Sequence, residues 1–309
     1  MIVDMHTHAG HPTRSGPVDP AVLATMRAGG IGAAVVSAIA DLPLLRRDPV
    51  TRRLGILREP EPGECLASVE AYLADYEASG ARIAREPDQI RPDDPALVLA
   101  IEGCDFLDGD LDRLDAMEAR GVRSIQLTHY RVNETGDIQT APERHGGLTR
   151  FGAEAVRRMN ARGIMVDVAH CSETTVRGVV AATTRPILCT HSNLAEPGHK
   201  DGAHPRYISR DYARMVADTG GVIGGWIAVL HEEKLPGMIR HILRLIEAVG
   251  IDHVGIGTDL PSGAQWHGMG DFTAHPDILA RLRAAGLTAE ETEKVAAGNW
   301  MRVFRAARA

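Results

Sequence analysis

The first residues able to do chemistry in this 309-residue chain come almost at once. In MIVDMHTHAG, His6 and His8 stand two positions apart behind the apolar pair Ile2-Val3. Ile2-Val3 opening an alternating run reads as a short buried β-strand, in which successive side chains point to opposite faces. Asp4, His6 and His8 would then share one face. Two imidazoles at i and i+2 at a strand end are spaced to grip one metal ion from the same side. A strand running into a polar loop that happens to hold histidines would show the same spacing, so the rest of the chain must decide.

Further along stand Glu102 in LAIEGC, His129 in QLTHY, His170 in DVAHC, His191 in CTHSN and Asp259 in GTDL. Taken singly, each histidine reads as a hydrogen-bonded loop residue and each acid as a solvated carboxylate. Taken together, histidines and carboxylates without paired cysteines suit zinc or another divalent ion at a site with open coordination positions. Five protein ligands are too many for one such site and suit two. Two ions bridged by a carboxylate can sit about 3.5 to 4 Å apart, clamp a hydroxide and lower the pKa of bound water to about 7. Hydrolysis of an amide or ester is the natural outcome. The only lysines are Lys200, Lys234 and Lys294, none at a strand end, so a carboxylated lysine bridge is excluded and Glu102 is the candidate bridge. The other histidines, His253 and His275 among them, fall in loops, in helices or at a strand's start and receive no role.

These residues need elements to position them. Short β-rich apolar runs recur at 2–6, 31–38, 96–103, 122–129, 163–170, 185–192, 220–227 and 253–260. Between them lie helical patterns with recognisable ends. Asp19-Pro20 opens one, Ser172 and Ser209 can cap two more, and Thr288 with Glu291 has capping-box spacing before the final helix. Near-continuous apolar strands alternating with helices imply a parallel sheet buried on both faces. Eight such units favour a closed (β/α)8 TIM barrel, expected as a single domain over residues 1–309. Active sites of this fold lie at the C-terminal ends of the strands. His6 and His8 end the first run, Glu102 the third, His129 the fourth, His170 the fifth, His191 the sixth and Asp259 the eighth, so all meet at one mouth.

Composition is that of an ordinary globular protein, 44% hydrophobic and 24% charged, with net charge -7. No basic stripe with interleaved aromatics appears, which argues against a nucleic-acid partner. No run reaches the roughly eighteen apolar residues of a membrane span, and Ile2 leaves no room ahead of it for a signal peptide, so a cytoplasmic location is expected. Cys65, Cys104, Cys171 and Cys189 lack CxxC spacing and read as reduced, buried thiols, with a thiolate ligand as the alternative.

The chain resembles the membrane (renal) dipeptidase family of zinc metallopeptidases, one of the amidohydrolase-like barrels. The likeness runs through IVDMHTH, LVLAIEGCDFL, GVRSIQLTHYRVN, GGLTRFGAEAVRRMNARGIMVDVAHCS, PILCTHSN, HPRYIS, DHVGIGTDL and NWMRVF, in the family's order. The resemblance implies two Zn2+ ions per subunit, the first held by His6, His8 and the bridging Glu102, the second completed by His170 and His191. It implies that His129 contacts the scissile carbonyl and the oxyanion, that Asp259 moves a proton to the departing amine, and that Arg206 binds the substrate carboxylate. One departure stands out: the family usually reads His-x-Asp where this chain has His6-Thr7-His8, which raises the charge of the metal cluster by one. Cys104, where a second glycine is expected, is a smaller one.

The function implied is cleavage of small dipeptides, with tolerance of a C-terminal D-residue, by a hydroxide held between two zinc ions in a homodimeric enzyme. Two alternatives stay open: another amidohydrolase-type enzyme acting on an N-acyl amino acid, a lactone or a cyclic amide, and a non-catalytic metal-binding homologue.

Overall fold

A computed structural model describes residues 1–8, 20–49, 54–195, 204–227, 234–260 and 271–309. Its centre is a closed barrel of eight parallel strands: β1 (Ile2–Thr7), β2 (Ile31–Ile39), β5 (Ala96–Glu102), β6 (Val122–Gln126), β7 (Met165–Asp167), β8 (Leu188–Ser192), β9 (Val222–Gly225) and β10 (Val254–Ile256). Each barrel strand pairs with its neighbour in chain order, and β1 closes on β10 through Asp4 opposite Ile256. This is the (β/α)8 TIM barrel expected from the eight apolar runs.

Helices α1 (Pro20–Ala24), α2 (Glu64–Ala78), α3 (Asp112–Arg120), α4 (Arg150–Arg162), α5 (Glu173–Ala182), α6 (Arg210–Asp218), α7 (Lys234–Val249) and α8 (His275–Ala284) surround the strands; α9 (Ala289–Glu293) and α10 (Asn299–Arg308) end the chain. Hydroxyl caps start them where expected: Ser172 Oγ accepts from Thr175 N at 3.1 Å, Ser209 Oγ from Tyr212 N at 2.9 Å, and Thr288 and Glu291 complete a capping box. A π-turn at Lys294–Gly298 joins α9 to α10. Among the described residues no helix is long and apolar enough to cross a membrane.

The barrel interior is packed by Val3, Met5, Val35, Val98, Leu188 and Val222, and Trp300 and Phe304 of α10 join that cluster. A second apolar layer, including Ile31, Leu97, Ile125 and Ile256, lies between strands and helices. Gly224 and Gly257 are required where the backbone crowds: a Cβ on either would lie 1.9 or 1.8 Å from Thr190 O, so only glycine lets β9 and β10 close behind the residue preceding His191.

Two features depart from the sequence reading. A small antiparallel hairpin, β3 (Leu45–Arg47) with β4 (Leu54–Ile56), leaves the barrel after β2. Its three-residue strands are too short for a period-2 pattern to register. The fourth, fifth and eighth strands also stop early, at Gln126, Asp167 and Ile256, so His129, His170 and Asp259 stand on the loops that follow. His170 takes φ +68°, a left-handed conformation rare for a side chain with a Cβ.

Candidate metal centre

The barrel gathers the seven predicted rim residues around one carboxylate. Glu102, the last residue of β5, has Oε1 3.5 Å from Nε2 of His6, His129 and His170 and 3.8 Å from Nε2 of His191; its Oε2 lies 3.5 Å from Nε2 of His8. Asp259 Oδ1 is 3.2 Å from His8 Nε2. All seven are buried.

Asp4 does not join them. The pairing of β1 with β2 slips between Asp4 and Thr7, which breaks simple alternation and separates Asp4 from the two histidines. Its carboxylate accepts instead from Thr258 N and Oγ1 and lies 2.8 Å from Nε2 of His275 on α8. His275, given no role from sequence, thus anchors the strand that carries His6 and His8.

Hydrogen bonds to the opposite ring nitrogens aim the imidazoles. His8 Nδ1 is 3.1 Å from Ser37 O and His129 Nδ1 is 2.7 Å from Asp41 Oδ1, and both acceptors demand a proton on Nδ1. Thr190 Oγ1 donates to Asp167 Oδ2, so toward Nδ1 of His6 and His191, 3.3 and 3.1 Å away, it can only accept. His6, His8 and His191 can therefore turn an unprotonated Nε2 toward Glu102, the arrangement by which outer hydrogen bonds prepare a histidine to ligate. Asp259 is held by Trp226 Nε1 at 3.1 Å and by its own amide on His6 O at 2.9 Å, with φ +61°.

Electrostatics agree with this assignment for His6 and His191, and keep His170 neutral as well. Burial, reinforced by neighbouring cations, pushes His6, His170 and His191 well below the ordinary histidine range, so they stand as neutral imidazoles. At His8 burial opposes charging, but the hydrogen bond to Asp259 and the charge of Glu102 outweigh it and raise the pKa. At His129 burial is likewise overcome, here by Asp41 and Glu102, which lift it to about 9. Burial raises Glu102 despite the opposing pull of His129 and His8. A cation held between them would reverse the balance at His8 and Glu102.

The donor set fits divalent metal. His6 Nε2 and Glu102 Oε2 are buried without a hydrogen-bond partner in the protein, a costly state unless something positive lies between them. Nε2 of His170 and His191 face each other at 3.1 Å, as two ligands of one ion would. Three ligand groups cluster within 4.8 Å: His6, Glu102 and His191; His6, His8 and Asp259; Glu102, His129 and His170. None includes a cysteine; Cys104 Sγ points to Gln126 O at 3.7 Å and Cys171 Sγ receives Thr128 Oγ1 at 3.4 Å.

Arg206 is buried beside the centre. Its guanidinium donates to Gln139 Oε1 and, at 3.4 Å, to His191 O, and lies 5.1 Å from the Trp226 ring centroid. Asp41, Trp226 and Gln139 were not singled out from sequence. Asp41 and Trp226 were within reach of the rule that found the others, since they follow β2 and β9 by one or two residues at the same mouth. Nothing in the sequence marked Gln139, which lies on a loop between β6 and α4.

Comparison with known proteins points one way. The model of the membrane dipeptidase family (peptidase family M19) matches residues 17–309. A Klebsiella pneumoniae protein described as uncharacterized, from the pqqA 5' region, is 30% identical over 224 residues, 68% of this chain and 81% of that one. Dipeptidase aclJ of Aspergillus oryzae is 29% identical over 219 residues, 67% of this chain but only 50% of the relative. Among solved structures, the probable dipeptidase PvdM of Pseudomonas aeruginosa superposes with TM-score 0.82 at 19% identity, covering 100% of this chain and 95% of the other. A metallopeptidase of Rhodobacter sphaeroides, bound to a phosphinate mimic of L-Ala-D-Ala, gives 0.78 at 22% identity and 99% of both chains. At such identities the structural likeness speaks for the fold, and the family match carries the assignment: the chain belongs to the membrane dipeptidase family of metal-dependent hydrolases.

Proposed function

We propose that the protein, as one barrel domain over residues 1–309, is a zinc dipeptidase whose centre holds two ions bridged by Glu102. The observation that carries this reading is the pair of orphaned atoms, His6 Nε2 and Glu102 Oε2, inside a shell of imidazoles turned Nε2-inward. His6, His8 and Glu102 would hold the first ion and Glu102, His170 and His191 the second. Such a pair, when bound, polarises the scissile carbonyl and brings a shared water to a pKa of about 7, which supplies the attacking hydroxide.

The chain's own groups do the rest. His129 Nδ1, donating to Asp41, leaves Nε2 as the group that faces the reacting carbonyl. It can stabilise developing negative charge there only when protonated, which the Asp41 carboxylate favours. Asp259, held by Trp226, would take a proton and deliver it to the departing amine. Arg206 would take the free α-carboxylate of the dipeptide by exchanging its bond to Gln139. Tolerance of a C-terminal D-residue is part of the proposal, in keeping with the L-Ala-D-Ala mimic carried by the Rhodobacter sphaeroides relative. Assembly as a homodimer and a cytoplasmic location belong to it as well, the first from family likeness.

The test is hydrolysis of L,L, L,D and D,D dipeptides by zinc-loaded protein with and without chelator. Chelator-sensitive turnover that includes L,D members is expected. A metal-bound protein that cleaves none of them would sink the proposal and move attention to N-acyl amino acids and cyclic amides.

A further inference from the structure

Beside the metal centre lies a cleft of about 460 Å³ that the roles given above leave unused. Tyr130 belongs to both: it lines the cleft, and its ring centroid is 4.7 Å from that of His129 and 5.3 Å from that of His170. The far wall is apolar, built from Ile56 and Leu57 at the end of the hairpin and from Val132 and Ile138. Leu57 is 67% exposed, unlike nearly every other large apolar side chain among the described residues.

The charges around the cleft do not cancel. Glu59 is taken by Arg131 through two hydrogen bonds of 3.0 and 2.7 Å, and Arg58 is matched by Glu64 at 2.8 and 2.5 Å. Arg144, on the same lining, has no acidic partner among the described residues. Its backbone is fixed, however. The buried Asp137 carboxylate accepts from the amides of Arg144 at 2.8 Å, Gly147 at 2.8 Å and His145 at 3.1 Å, while Gln139 N donates to His170 O at 2.8 Å. One loop therefore carries Arg144, the cleft wall and the Gln139 partner of Arg206, and it is tied to the metal centre at its base.

The geometry points to this cleft as a specificity pocket for an acidic substrate: a dipeptide with a Glu-type side chain, whose methylenes lie on Leu57, Val132 and Ile138 and whose carboxylate meets Arg144. This rests on the dipeptidase reading. An apolar wall with one surplus guanidinium matches an aliphatic stem ending in an anion, and disfavours one ending in an ammonium.

The test compares kcat/KM of the zinc-loaded full chain on Glu-Ala and Gln-Ala, and on Ala-Glu and Ala-Gln with L- and D-residues at the second position. A preference for Glu over isosteric Gln of roughly three- to tenfold is expected at one of the two positions. Arg144→Gln should abolish that ratio, and Arg144→Glu should shift preference toward the corresponding Lys dipeptide. Arg144 is exposed, so circular dichroism should show both variants folded. Cleavage of dipeptides with no Glu preference, or with one that Arg144→Gln leaves intact, overturns the inference and spares the dipeptidase reading. Failure to cleave any dipeptide overturns both.

Discussion

Asp41 Oδ1 lies 2.7 Å from Nδ1 of His129, joining the loop after β2 to the loop after β6 across 88 residues of chain. The other oxygen of the same carboxylate accepts from Tyr130 N at 3.1 Å, so Asp41 fixes both the tautomer and the position of His129. Asp41→Asn removes the charge that favours protonated His129, and kcat should fall about 10- to 100-fold while metal content stays constant. The acidic and basic limbs of the kcat profile should move as well. Unchanged kcat and profile would mean that Asp41 only supports the loop.

Glu102 and Asp259 should separate metal binding from proton transfer. Glu102→Gln removes the charge around which five Nε2 atoms gather, and elemental analysis should find metal lost along with activity. Asp259→Asn should keep its metal and lose about 10²- to 10⁴-fold in kcat. An active Asp259→Asn enzyme would remove that residue from the chemistry.

Chelation should destabilise the fold as well as silence it. Metal that binds only the native state at about 1,000 times its Kd adds about 4 kcal/mol, and its removal should lower Tm by on the order of 5–10 °C. Differential scanning fluorimetry with and without chelator measures this. His6→Ala, which already lacks one of the two orphaned ligand atoms, should show a smaller gap. Identical melting with and without chelator would contradict a metal held by buried ligands.

The Asp4–His275 contact is wholly buried, 2.8 Å long, and ties β1 to α8 over 271 residues. His275→Ala leaves a carboxylate in the core with fewer partners and should cost about 3–5 kcal/mol in urea unfolding of the metal-loaded protein. Because Asp4 also accepts from His6 N at 3.3 Å, metal affinity should weaken in parallel. A loss below about 1 kcal/mol would show that Thr258 alone suffices to hold Asp4.

Asp137 gives a pH dependence. Burial opposes its ionisation, but bonds from the amides of Arg144, Gly147 and His145 outweigh this and hold the carboxyl below its ordinary range. A depressed folded pKa stabilises the protein above the unfolded value of about 3.9, and that contribution is lost as pH falls through the folded pKa. Asp137→Ala should therefore cost about 1–3 kcal/mol at pH 7, and less as the pH is taken to 4 and below. A penalty independent of pH would assign the effect to lost packing.

The eight barrel strands and the seven rim residues were legible in the chain itself. Apolar β-rich runs, hydroxyl caps and a parallel alternation leave few alternatives to a barrel, and in that fold a titratable residue at a strand's C-terminal end has one place to go. Family identity was legible for the same reason, since the blocks that carry the rim residues lie in order along the sequence. What only tertiary structure decided were contacts between residues far apart in sequence. Asp4 left the face of His6 and His8 because β1 slips against β2, an irregularity that exists only in the pairing of the two strands. Asp41, Gln139 and His275 acquired partners 88, 67 and 271 residues away. The hairpin and the cleft behind Tyr130 arise where two such segments pack, and side chains that meet only through folding leave no periodic signal in the chain that carries them.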